Sequence, residues 1–444
     1  MSSGKRPGDG QSAASTRTGP TRRALLQRSV ALGGATLAAA RARAATPAVE
    51  AQALASDERH WRHVADDFDV KTDITNLENG YWGIMARPVL EKYLAASRFV
   101  NRDNSFYARR GYDADYARTR ARIARAVGAK SEEIALTRGA TEALQGLIGG
   151  YNRLRPGDAV MYADLDYYSM QAAMDALAAR NGCEVVRLAI PEPTGHDALV
   201  AFYDAALAAN PKVLLLLITH VSHRTGLLIP ARAIIAAARA RGVDVIVDAA
   251  HSFGQIDMTL ANLDADFVGF NLHKWIGAPI GAGLMYIRPG RLADISPNPS
   301  SQGDELQRTD GRVHTGTANF AAFMTVPDAL DYHDRVGPLA IAARLRYLRN
   351  LWVTAVRDVP GLQILTPDDD RLHAGMTSFR FAGKTSVDDN KAIVERLVRD
   401  FGIFTVHRDG VAKGACVRVT PAIYNGAGDV LRLADALKKI APTL

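Results

Sequence analysis

The sequence predicts an α/β protein: a large domain with a mostly parallel sheet between helices, then a smaller C-terminal α+β domain. Three observations carry this. From about residue 46, short apolar runs alternate with amphipathic stretches, the pattern of strands buried on both faces and covered by helices. The 444 residues, 48% of them hydrophobic, suffice to bury such a core, and no apolar span reaches bilayer length. From about Leu339 the character shifts to charged, helix-like segments with a few short strands, the mark of a second domain.

Residues 1–45 stand apart as an expected export signal. A basic polar stretch leads into an apolar run from Leu25 to Ala40, and Ala42-Arg43-Ala44 offers small residues for cleavage. Thr21 to Gln27, with Arg22 and Arg23, resembles the twin-arginine consensus, which is read by a receptor as an address. A periplasmic location follows as an expectation. This segment holds eight of the 54 Lys/Arg residues and one of the 47 acids, so 46 of each remain in the body. A neutral body gives no electrostatic reason to bind nucleic acid or a membrane surface. The two cysteines, Cys183 and Cys416, form no C-x-x-C, so neither a disulfide framework nor a thiolate metal site is expected.

In the large domain, residues 46–330, the candidate strands are Ala159–Ala163, Glu184–Ile190, Val213–Thr219, Val243–Val247, Phe267–Phe270 and Gly283–Ile287. Between them lie helix-like stretches such as Met170–Ala179 and Arg232–Ala240, the latter closed by Gly242. The small domain, residues 331–444, has helices over Leu339–Arg357 and Val387–Phe401 and strands near Met376–Phe381, Ile403–Val406 and Cys416–Val419. An N-terminal segment of the large domain is expected to pack on it.

Two strand ends deliver the chemistry. The run from Val245 ends in Asp248 with His251 three residues on, and the run from Phe267 delivers Asn271, His273 and Lys274. A buried carboxylate needs a partner, and a buried lysine is paired or neutralised. Spacing alone leaves two readings: a structural Asp–Lys ion pair, or an amine nucleophile that forms a Schiff base with pyridoxal 5'-phosphate (PLP) while the aspartate holds the pyridine nitrogen protonated. Thr137 to Glu142 favours the second, because Gly139, Ala140 and Thr141 open an apolar-periodic helix whose free N–H groups suit a phosphate. By itself that motif is equally a helix cap. The glycines from Gly277 to Gly283 run from strand to strand, so they are not a dinucleotide fingerprint.

Together these motifs resemble the class V aminotransferase family of fold-type I PLP enzymes, within it the isopenicillin-N-epimerase-like branch, over about Asn76 to Asn425. The resemblance implies a mixed, mostly parallel sheet and a homodimer acting on a small amino-acid or peptidyl substrate. It makes Lys274 the Schiff-base lysine, Asp248 the pyridinium partner and His251 a neighbour of the phenolic oxygen. Gly139, Ala140, Thr141, Asn271 and His273 would hold the phosphate, and Tyr167 would stack on the ring. Gly316 and Thr317 match a segment that reaches the phosphate of the neighbouring subunit. Arg418 matches an arginine that forks onto a substrate carboxylate, a contact suited to a planar guanidinium. Asn271 stands where the family often has Ser, and His223 where it has Asn or Ser beside the phenolic oxygen, facing cofactor or substrate.

Cysteine desulfurases share this fold and use a thiol on a mobile loop before the arginine. Residues Ile403 to Ala415 contain none, which points instead to transamination, epimerisation or elimination on an amino acid or peptide-derived metabolite. His220, His223 and His251 lie near strand ends, but no carboxylate or thiolate completes a zinc set, and no metal is expected. A catalytically silent PLP- or amino-acid-binding protein is the alternative of another class.

Overall fold

The computed structural model describes residues 48–444, so the expected export signal lies outside the described residues. Strand β1 is Thr75–Asn76, β2 Ile134–Thr137, β3 Ala159–Ala163, β4 Glu184–Leu188, β5 Val213–Thr219, β6 Asp244–Asp248 and β7 Phe267–Asn271. They are followed by β8 Gly283–Ile287, β9 Leu362–Ile364, β10 Thr377–Phe381, β11 Ile403–Phe404, β12 Val406–Arg408 and β13 Cys416–Val419.

The main sheet has the order β2-β8-β7-β6-β5-β3-β4. Strands β3 to β7 run parallel, each fully buried except β4 and one position of β5, because helices cover both faces. Strand β8 is antiparallel to both β7 and β2. The link Leu272–Ala282 between β7 and β8 holds no helix, so the chain turns back rather than crossing over, and that link carries Lys274. The register aligns Thr219 with Asp248 and Asp248 with Gly269, which gathers the carboxyl ends of β5, β6 and β7 at one edge. Ligands bind at that edge in sheets of this kind.

The helix Ala140–Gly150 sits with its N-terminus directly on β7 and β8. A Cβ on Gly283 would lie 2.5 Å from Gly139 Cα and 2.6 Å from the Phe270 carbonyl, so only glycine allows this approach. The start of the helix is thereby fixed above the ends of the central strands.

The second sheet, β12-β13-β10-β9, is antiparallel and packs helices Pro338–Ala355, Val387–Phe401 and Ala427–Ile440 over a core that includes Trp352, Phe379, Leu397 and Leu433. One expected strand, Ile403–Val406, is divided. At buried Thr405 the chain changes sheets: β11 pairs parallel with β1, whereas β12 pairs with β13. The N-terminal segment continues alongside, bridging Glu78 to Thr420, and so brings residues 75–80 against the end of β13. Helices Arg87–Arg110 and Tyr112–Val127 lie where the sequence patterning gives no assignment. Among the described residues no helix is long and apolar enough to cross a membrane.

Candidate active site

A cavity of about 520 Å³ opens at the carboxyl edge of β5, β6 and β7. It is lined by Tyr167, His223, Asp248, His251, Asn271, His273 and Lys274, together with Gly139, Ala140, Thr141 and Arg418. A larger cleft of about 750 Å³ elsewhere is lined by none of these residues. Gly316 and Thr317 are exposed on a loop and do not line the cavity within the chain.

Lys274 Nζ lies 2.9 Å from His251 Nε2, and the Trp275 indole N–H donates to His251 Nδ1 at 3.4 Å. A ring that accepts at Nδ1 carries its proton on Nε2 and donates it to Lys274, which requires a neutral amine. Burial first, and then the charge of Arg418, pull the Lys274 pKa down to about 7, so a neutral amine is accessible at ordinary pH. Burial also drives His251 well below its ordinary value, with Lys274 adding to the effect.

Asp248 is buried at the end of β6, and its Oδ1 accepts from the Ala250 N–H at 2.9 Å. Burial raises its pKa, opposed by that hydrogen bond and by the Lys274 charge. Beside it, Thr219 Oγ1 and His223 Nδ1 are buried with no partner among the described residues. Tyr167 precedes the helix Tyr168–Asn181, and its ring meets the His223 ring edge-on at 5.1 Å between centroids.

Gly139, which precedes the helix beginning at Ala140, has no side chain to cap it, so the first turn retains donors for an anion. Two expected phosphate contacts are altered. The Ala140 N–H is already spent on Asn271 Oδ1 at 2.8 Å, so the donors at hand include the Thr141 N–H and hydroxyl and the Asn271 amide NH2. His273 Nδ1 donates to the Ala282 carbonyl at 2.9 Å, so the neutral ring has no proton on Nε2. Burial lowers its pKa to about 4, and it serves a phosphate as a donor only when protonated.

Arg418 also departs from expectation. Its Nη2 donates to both Glu78 oxygens, at 2.5 and 2.8 Å, and its Nη1 donates to the His223 carbonyl at 2.7 Å. Both bidentate edges of a guanidinium include Nη2, so Glu78 occupies the fork assigned to a substrate. The sequence reading missed Glu78 and also Arg408, which lines the same cavity. Glu78 arrives from a segment 340 positions away, and only the β1–β11 pairing could have revealed it. Arg408 had a usable signal, since alternation along two antiparallel strands places it on the Arg418 face.

The site's chemistry fits PLP. A nucleophilic amine, a buried carboxylate for a protonated ring nitrogen, unpaired polar atoms at Thr219 and His223, and a helix N-terminus with donors left for phosphate converge on one cavity.

The class-V aminotransferase profile matches residues 89–433. Isopenicillin N epimerase of Streptomyces clavuligerus is 28% identical over 85% of this chain and 97% of its own length. A probable cysteine desulfurase of Vibrio cholerae is 27% identical over 73% of this chain and 82% of its own. Among solved structures, the complex of the cystine C-S lyase C-DES with its product cysteine persulfide superposes with a TM-score of 0.72 at 22% identity, covering 82% of this chain and 97% of that one. The Escherichia coli cysteine desulfurase CsdA does so with a TM-score of 0.73 at 21% identity, covering 86% and 98%. The fold, with its mixed sheet flanked by helices, and the family match agree: the chain belongs to the class-V aminotransferases, a family of pyridoxal phosphate enzymes.

Proposed function

We propose that this enzyme binds PLP at Lys274 and acts at the amino-bearing carbon of an amino acid or peptide-derived metabolite, by transamination, epimerisation or elimination. The observation that carries the reading is the pairing of a lysine poised as a free amine with a buried aspartate at the same cavity. When bound, the cofactor supplies an electron sink for the charge left as a bond to that carbon breaks. Asp248 keeps the ring nitrogen protonated. His251 orients the Lys274 amine, and that amine, once released, removes the proton from the substrate carbon. Thr141 N–H and the Asn271 amide are the phosphate donors.

The relatives include both epimerases and desulfurases. Two features of this chain favour transamination, epimerisation or elimination over sulfur transfer to an enzyme thiol. Cys416 is fully buried within β13, and burial raises its thiol to about 11, far from the thiolate that attack on sulfur requires. Cys183 stands before β4, a strand at the far edge of the sheet from β8.

The test offers the PLP-loaded enzyme a panel of L- and D-amino acids and peptidyl amines in deuterated water. Exchange of the α-proton with at least one panel member is expected. Keto product then marks transamination, inverted product epimerisation, and released ammonia elimination. Conversion of L-cysteine to alanine with release of its sulfur, as the sole reaction, would overturn the proposal in favour of a desulfurase.

The same proposal places the enzyme in the periplasm as a homodimer, exported already folded by the twin-arginine route. Support comes from Arg22-Arg23, the apolar run after them, and the match of Gly316 and Thr317 to a segment that reaches a neighbour's phosphate. Replacing Arg22 and Arg23 with lysine is expected to leave the enzyme in the cytoplasm. Mature protein in the periplasm of that variant would refute this route.

A further inference from the structure

We infer that Arg408, rather than Arg418, takes the carboxylate of the substrate, with Glu78 serving as a built-in counter-ion that keeps Arg418 occupied. The inference rests on the amino-acid reading given above and narrows it to substrates with a carboxylate within reach of Arg408.

The strand register makes the two arginines neighbours. Val406 lies opposite Arg418, and Arg408 opposite Cys416, so Arg408 and Arg418 are diagonal partners on one face of the β12–β13 pair. Both line the cavity with Lys274. Their surroundings differ. The Arg418 side chain is 1% exposed and the Glu78 side chain 7%, and the two are joined through both carboxylate oxygens. The Arg408 side chain is 25% exposed, and its nearest Glu78 oxygen is 3.6 Å away, beyond hydrogen-bond reach. The Nε atoms of both arginines are buried without a partner, so the difference lies in the carboxylate that Arg418 alone holds at hydrogen-bond distance. Asp409, the next residue, also lines the cavity but is exposed. Two guanidiniums share one buried carboxylate, which leaves one positive charge over, and the geometry puts it on Arg408.

Charge accounting agrees. Burial, and next the repulsion of Arg418, lower the Arg408 pKa to about 10, with Glu78 only partly offsetting them. A second anion would relieve that strain, and a substrate carboxylate supplies one. Displacing Glu78 from Arg418 would instead strand a buried carboxylate, the costlier alternative.

The test uses two small aminooxy reagents that would displace the Lys274 amine from bound PLP, forming an oxime without turnover. Aminooxyacetate carries a carboxylate, and O-methylhydroxylamine does not. The rate at which each bleaches the cofactor absorbance is measured on PLP-loaded enzyme and on free PLP. Relative to free PLP, the wild type is expected to favour aminooxyacetate by about tenfold or more, the worth of one charge-assisted contact. Arg408→Leu should bring the ratio to that of free PLP with the absorbance band unchanged, and Arg408→Lys should retain part of the preference. Should Arg408→Leu fail to fold, Arg408→Gln is read in the same way. A preference that survives loss of Arg408, or a wild type with none, overturns the assignment. A protein with no cofactor band at all would instead sink the underlying PLP reading, so the two failures are separable.

Discussion

Lys274→Ala is expected to abolish covalent attachment of PLP: borohydride treatment should add the cofactor's mass to the wild type and nothing to the variant. Among the described residues no other lysine lines the cavity, so none of them can supply a second amine there. The pH profile of attachment adds a sharper test. Because burial brings Lys274 from an ordinary value of 10.5 to about 7, the attachment rate should rise with pH and level off near 7 rather than near 10. The sign for stability follows from the same shift. A lysine whose pKa is lowered by folding penalises the folded state wherever it must be protonated, so its cost is greatest below about pH 7 and fades as pH rises toward 10.5. Lys274→Ala removes that cost, so the cofactor-free variant should melt no lower than the wild type at pH 6. A variant that unfolds there would show that the lysine supports the fold, and a reduced adduct persisting on it would place the cofactor elsewhere.

Much of the fold was legible because the central strands carry their burial in composition. Strands Ala159–Ala163, Val213–Thr219 and Gly283–Ile287 have the expected bounds, since continuous apolar runs between turn residues admit little slippage. The split of Ile403–Val406 was not legible. Its cause is pairing with β1, more than 300 positions away, and no local period reports such a partner. The site divides in the same way. Asp248, His251 and Lys274 were visible because each closes or follows an apolar strand, and the cavity brings them together. The details that change their neighbours' roles were hidden: Asn271 consuming the Ala140 N–H, Ala282 fixing the His273 proton, and Glu78 holding Arg418. Each is a contact between segments whose separation in sequence carries no signal, although every participant except Glu78 and Ala282 had been singled out.

Asp248→Asn should separate catalysis from stability in opposite directions. The variant is expected to attach PLP at Lys274, because loss of the Asp248 charge removes an influence that raises the lysine's pKa and so favours the neutral amine, yet to lose activity by on the order of 100-fold or more, because an unprotonated ring nitrogen is a poor electron sink. The cofactor-free protein should respond differently. Burial raises the Asp248 pKa, so folding favours the protonated acid, and the cost of holding it as a carboxylate appears as pH rises through the folded pKa. Above that pH the wild type carries a buried charge whose local compensation is one backbone N–H and the field of Lys274. Asparagine carries no charge to bury, so the cofactor-free variant should melt at or above the wild type at pH 8, and the difference should shrink as pH falls toward 4. Adding PLP should stabilise the wild type more than the variant, since only the wild type pairs its carboxylate with a protonated ring nitrogen. Equal turnover in the two proteins would remove Asp248 from the cofactor's ring nitrogen, whereas a variant destabilised at pH 8 would make it a structural acid held by Ala250.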